Sequence, residues 1–160
     1  MTQYNTWEDG AQAALKHIAD FAGMIKRDDN IFDVVFETLG TIVREYPDDT
    51  DMMVNMLERA GIGALHCMAD MGPFSLEEMH RLLCSKQHDY GHGNILHFGT
   101  VGVAVRLCDK IARRANLLGR GATAMNETLT DTYMDILGYA AIALMLEDGS
   151  FELELGHYGK

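Results

Sequence analysis

Basic residues are scarce in this chain: 13 Lys and Arg stand against 24 Asp and Glu, a formal net charge of −11 over 160 residues. Phosphate backbones are gripped by clustered Lys and Arg, so this balance excludes free-standing nucleic-acid binding while leaving room for one local basic site. Cysteine is almost as short. Cys67, Cys84 and Cys108 form no CxxC pair, and no apolar signal region opens the chain, so a disulfide scaffold is excluded and reduced core thiols are expected. No uninterrupted apolar run approaches the roughly 18 residues a membrane span needs, which predicts a soluble, cytoplasmic protein with no membrane partner. Alternation of strands and helices is also missing, as are Walker, GxGxxG and GxSxG signatures and any Ser/His/Asp arrangement.

What is present is helical periodicity. Thr6 followed by Asp9 makes an N-cap, and Trp7, Ala11, Ala14, Leu15, Ile18, Phe21, Ala22 and Ile25 repeat at helical spacing behind it. Asn30 is placed to cap a second helix carrying Phe32, Val35, Phe36, Leu39, Ile42 and Val43, which must end near Pro47. A third runs from Thr50 to about Ala69, weakened at Gly61 and Gly63. Gly72-Pro73 then breaks the chain, and Ser75 to Glu78 supplies a capping box for a fourth helix reaching about Gln87. The segment HDYGHGN reads as a loop, Ile95 to Leu118 as a fifth helix, and GRGATAM as a link to a sixth beginning at Asn126. The expected fold class is all-α, a bundle of about six helices divided into an N-terminal part (1–72), a core (73–148) and a C-terminal tail (149–160). In that tail SFELEL alternates like a short strand, and an edge or a docked tail is expected.

Three acids stand out on the sixth helix. Glu127, Asp131 and Asp135 project within about 80° of one another from an otherwise apolar stretch that reads as buried. A buried carboxylate must be answered by a cation, a metal ion or a proton. On the fifth helix Val101, Val105, Cys108, Ile111, Ala112, Ala115 and Leu118 read as the apolar side, while Arg106, Asp109, Arg113 and Asn116 share another. That second face is either a solvated surface with an Asp109–Arg113 pair or a basic stripe facing the acids. In the sharper reading Lys110 and Arg113 hold a phosphate chain, while Glu127, Asp131 and Asp135, with Asp109, hold Mg2+, a cation that favours carboxylate and phosphate oxygens. The alternative is an Arg/Asp network that only sets helix register.

The loop from Lys86 to Asn94 gathers polar and aromatic groups around glycines and is a candidate base or sugar pocket, or else a plain connection with surface histidines. His88, His92 and His97 make a weak zinc pattern without cysteine ligands, and His80, His88-Asp89 and Asp135 only loosely imitate an HD-type phosphohydrolase. The 11 methionines are expected to fill the core.

Lys86 with Asp89-Tyr90-Gly91, then Asn94-Ile95 and Phe98-Gly99, the run Arg106 to Leu117 and the run Asn126 to Tyr139 together resemble the phage nucleotide-modification-associated domain. That family is similar to the MazG-like all-α nucleotide pyrophosphohydrolases, and the likeness covers roughly residues 76–148. The resemblance implies Mg2+ between acidic helices, cleavage of a (deoxy)nucleoside triphosphate to monophosphate and pyrophosphate, a homodimer or homotetramer, and, if phage-encoded, the host cytoplasm. Glu127 and Asp131 match the second acidic motif, and so the catalytic positions, with Asp135 one turn on. Arg106, Lys110 and Arg113 would stabilise phosphate charge, Lys86 and Asn94 position the nucleotide with Asp89 and Asn116 beside them, and Tyr90 stack on a base. The first motif, E-x-x-E, has no counterpart, since Glu77 and Glu78 are adjacent. That departure favours the competing expectation, a non-catalytic protein that sequesters a nucleotide or signal molecule.

Overall fold

The computed structural model describes residues 3–120 and 128–156. They form six α-helices and one 3-10 turn, with no strand among them: α1 (Trp7–Met24), α2 (Ile31–Glu45), α3 (Thr50–Met71), α4 (Leu76–Tyr90), α5 (Gly93–Gly119), α6 (Leu129–Asp148) and η1 (Ser150–Glu152). The caps follow the residue chemistry. Thr6 accepts from the Asp9 backbone N–H, Asp49 from that of Met52 and Ser75 from that of Glu78, each satisfying a donor that an open helix end leaves unpaired. Asn30 sits at the N-cap of α2 without a side-chain cap bond.

α6 is the hub. It packs most extensively on α3 and then on α5, with α1 also against it, and Ile136, Leu137, Ala140, Ala141, Ala143 and Met145 are fully buried there. By length and composition it is also apolar enough to cross a membrane, but 56% of that stretch is buried inside the bundle, as a core helix requires. Glycines let α3 approach α6 at Gly61 and α2 at Gly63. A Cβ on Gly61 would meet the Ala140 Cβ at 2.6 Å, and one on Gly63 would meet Ile31 Cγ2 at 2.7 Å. The two glycines expected to weaken α3 therefore sit in an unbroken helix whose packing they permit.

Three expectations are corrected. The loop HDYGHGN is mostly helix: α4 continues to Tyr90, Gly91 turns the chain at φ 69°, and α5 begins at Gly93. α5 is itself broken at Gly99, whose φ of 61° and ψ of −149° suit a residue without Cβ. The apolar side of α5 was misphased. Val103, Ala104, Leu107, Ile111 and Leu117 are buried, while Val105 and Leu118 are each 47% exposed. α5 carries apolar residues on several sides, so periodicity alone leaves its rotation open; contact with α2, α3 and α6 sets it.

The tail holds no strand and docks instead. Phe151 is fully buried edge-on to Trp7 with ring centres 5.9 Å apart, the Trp7 backbone N–H donates to the Glu154 carbonyl at 3.0 Å, and the Gly156 N–H donates to buried Glu8 at 2.8 Å. Cys67, Cys84 and Cys108 are free thiols, and burial, with Glu8 nearby, pushes Cys84 up to about 12. One continuous core runs from Trp7 to Phe151 through both expected parts of the chain.

Gly61→Ala tests the close approach. Helix propensity favours the substitution by about 1 kcal/mol, but two helical Cβ atoms cannot occupy 2.6 Å, so a net destabilisation of about 1–3 kcal/mol is expected in urea unfolding. An unchanged or raised midpoint would show that α3 and α6 are not so tightly apposed.

Candidate functional site

α4, α5 and α6 converge on a cavity of about 430 Å³ that α1 also lines through Trp7. That volume falls in the usual range of about 300–1,000 Å³ for small-molecule sites. Lys86 meets Asp135 across α4 and α6, and Met79 and Leu83 lie against Gly138, so the two helices run antiparallel along the cavity. Met79 is two turns from Lys86, and Ile142 two turns from Asp135, which separates an ionic end from an apolar end by about 10 Å.

Asp135 organises the ionic end. Its Oδ1 accepts from Lys86 Nζ at 2.9 Å and its Oδ2 lies 2.8 Å from Lys110 Nζ, with the Asp135 and Lys110 side chains only 20% and 19% exposed. Burial pushes the Asp135 carboxyl up, but hydrogen bonds from Lys110 and Lys86 and their charges outweigh it and hold the group below its ordinary 3.8. Half-buried Arg106 lines the same cavity with no hydrogen-bond or ion-pair partner among the described residues. Among the described residues, Lys86, Arg106 and Lys110 line the cavity together with one carboxylate, Asp135, in a chain whose acids otherwise predominate.

Of the residues singled out from sequence, Lys86, Tyr90, Asn94, Arg106, Lys110 and Asp135 come together here. Others stand apart. Asp131 is exposed at the third position of α6, where it closes a capping box: Thr128 Oγ1 accepts from the Asp131 backbone N–H, and Asp131 Oδ2 from that of Thr128. Asp109, Arg113 and Asn116 are exposed on α5 and do not line the cavity, and Asp89 pairs with His88 at the surface. Asn126 and Glu127 lie outside the described residues. Of the acid stripe, Asp135 is therefore answered by lysines, from α4 as well as α5.

His80 lies 2.8 Å from the Glu8 carbonyl oxygen, to which its Nε2–H donates, a structural contact away from any HD-type arrangement. Sequence reading missed Arg114, which stacks 4.2 Å above the Phe32 ring and donates to the Tyr133 hydroxyl at 2.9 Å, tying α5 to α2 and α6. It also missed Trp7 and Tyr139 as cavity residues; no local motif marks them, because helices remote in sequence bring them together.

Residues 86–146 match the family model of nucleotide modification associated domain 1. The matched segment begins at Lys86, runs through Arg106, Lys110 and Asp135, and ends near the close of α6, so it carries the whole ionic end of the cavity. α1, α2, α3 and the docked tail lie outside it. No curated protein and no solved structure matches the chain.

The Mg2+ expected from sequence needs several oxygen ligands free to face it. Both Asp135 oxygens are engaged by ammonium groups, Asp131 caps its own helix, and no group of three His, Cys, Asp or Glu side chains able to hold a metal occurs among the described residues. Of the carboxylates expected to hold Mg2+, Asp135 is the one that lines the cavity among the described residues.

The depressed pKa of Asp135 gives a signed pH dependence. Its stabilisation is fully present above the ordinary carboxyl value of 3.8 and is lost as pH falls through the lower folded value. Asp135→Asn should cost about 1–3 kcal/mol in urea unfolding at pH 7, discounted for the exposure of Lys86, with the difference from wild type shrinking in acid. Equal stability at pH 7 would mean that the two lysines need no counter-ion.

Proposed function

We propose that the cavity between α4, α5 and α6 binds a nucleotide, with its phosphates at Lys86, Arg106 and Lys110 and its base toward the apolar end. The observation that carries this reading is Arg106: a half-buried guanidinium that lines the cavity with no carboxylate partner of its own among the described residues, one turn from Lys110 on α5. A guanidinium presents a planar fork of donors that matches phosphate oxygens, and two neighbouring ammonium groups add point charge. The length from ionic to apolar end, about 10 Å, suits an amphipathic anion of nucleotide size better than a free phosphate. The family match over the same residues supports nucleotide chemistry independently of the geometry.

On this reading the protein holds its ligand rather than hydrolysing it. Asp135 acts as counter-ion to the two lysines in the empty cavity, and an incoming phosphate competes with it for them. Pyrophosphohydrolysis, which the resemblance implies, requires carboxylates that the described residues do not assemble. The binding reading accounts for the cations without requiring a metal.

Thermal melting against ribo- and deoxynucleoside triphosphates, with and without Mg2+, followed by product analysis, tests the proposal. Stabilisation that persists in a chelator and leaves the nucleotide intact is expected. Release of monophosphate and pyrophosphate would instead establish a hydrolase, and no response to any nucleotide would remove the proposal. Arg106→Leu should weaken binding about 10- to 100-fold by calorimetry, the loss expected for a charge-assisted contact.

A further inference from the structure

The wall of the cavity contains two buried polar side chains with hydrogen-bonding capacity to spare. Trp7 is fully buried and lines the cavity, and its indole N–H has no acceptor among the described residues. A buried donor left unpaired is costly, and such groups call for an explanation. Gln87, only 7% exposed, also lines the cavity. One end of its amide meets His92 Nδ1 at 2.6 Å, and the other end has no partner among the described residues, whichever way the amide is turned. The two residues belong to one wall. His92 is edge-on to Phe151 with ring centres 5.7 Å apart, and Phe151 is edge-on to Trp7 at 5.9 Å, so the docked tail braces both.

We infer that Trp7 and Gln87 read the nucleobase. The indole N–H donates to a carbonyl oxygen or ring nitrogen on the base edge, and the spare end of the Gln87 amide pairs with a neighbouring polar atom of the same edge. A polyphosphate or a plain sugar phosphate carries no such edge, so the favoured ligand class is a nucleoside phosphate. Indole and amide are planar, and a flat heterocycle slots between them and the side chains of Leu83, Ile95 and Ile142. The indole nitrogen is covered from water in the empty cavity, so the base reaches it by displacing lining side chains. Met79 and Met134 line the same space, and their unbranched thioethers yield readily. Trp7 lies outside the segment that matches the nucleotide-associated family, so base choice on this account comes from α1 and phosphate binding from the matched helices.

This inference rests on the nucleotide reading of the cavity, and one experiment separates their failures. Trp7 is the only tryptophan, so its emission reports the cavity wall directly. The full chain is titrated with each deoxynucleoside triphosphate and with inorganic tripolyphosphate, emission and calorimetry being read together. The expected result is a saturable change in Trp7 emission with nucleotides alone, at least one of them binding about tenfold or more tightly than tripolyphosphate. Gln87→Met and Trp7→Phe should each bring the favoured nucleotide down toward the tripolyphosphate affinity; should Trp7→Phe not fold, Gln87→Met and the wild-type emission decide. Equal affinity for nucleotides and tripolyphosphate, with Gln87→Met indistinguishable from wild type, overturns base reading and leaves the phosphate site standing. Failure of both ligands to bind overturns the nucleotide site itself.

Discussion

Asp135 is a charge on the central helix of the bundle, and the arrangement around it follows from the need to answer that charge. A carboxylate turned inward from a helix as apolar as α6 is tolerated only with cations on it, and Lys86 and Lys110 supply them from two other helices. The three helices are thereby registered at one level along their lengths. Two ammonium groups meet one carboxylate and Arg106 stands one turn away, so three basic side chains line the partly open cavity. The contact that joins α4, α5 and α6 thus also gathers basic side chains at the cavity.

The remaining helices shape that space without contributing its charge. Glycine at 61 brings α3 against α6, and the three N-terminal helices share one core with the rest. α1 enters the site through Trp7, held by the docked tail through Phe151, the Glu154 carbonyl and the Glu8–Gly156 contact. The segment matching a nucleotide-associated family accounts for the ionic end, and residues from both ends of the chain complete the wall. A division follows from the covalent order: contiguous helices supply the basic side chains of the cavity, while distant segments complete its wall.

Much of the fold was legible because it rests on local chemistry. Thr6, Ser75 and the Gly72-Pro73 break mark helix ends through donors, acceptors and forbidden dihedrals that act over three or four residues. The loop from Lys86 to Asn94 was misjudged because Gly91 alone suffices to turn the chain, leaving His88 to Tyr90 free to continue α4. The face of α5 was misjudged because Val101, Val105 and Ala112 are as apolar as Val103, Leu107 and Ile111. Within the site, Lys86, Asn94, Arg106, Lys110 and Asp135 carried a recognisable spacing, whereas Asp131, matching the same motif, was drawn into capping its own helix.

By itself the sequence determined an all-α chain, its helix ends, its acidic surface and the presence of a carboxylate on α6 that had to find a cation. These depend on residue type and on neighbours a turn away, which covalent order sets directly. Only the tertiary structure decided which cations answer Asp135, which side of α5 is buried, and that Trp7 and Gln87 share a wall with the ionic cluster. Those outcomes depend on how helices remote in sequence rotate and approach, and that is set by packing all of them around α6 at once.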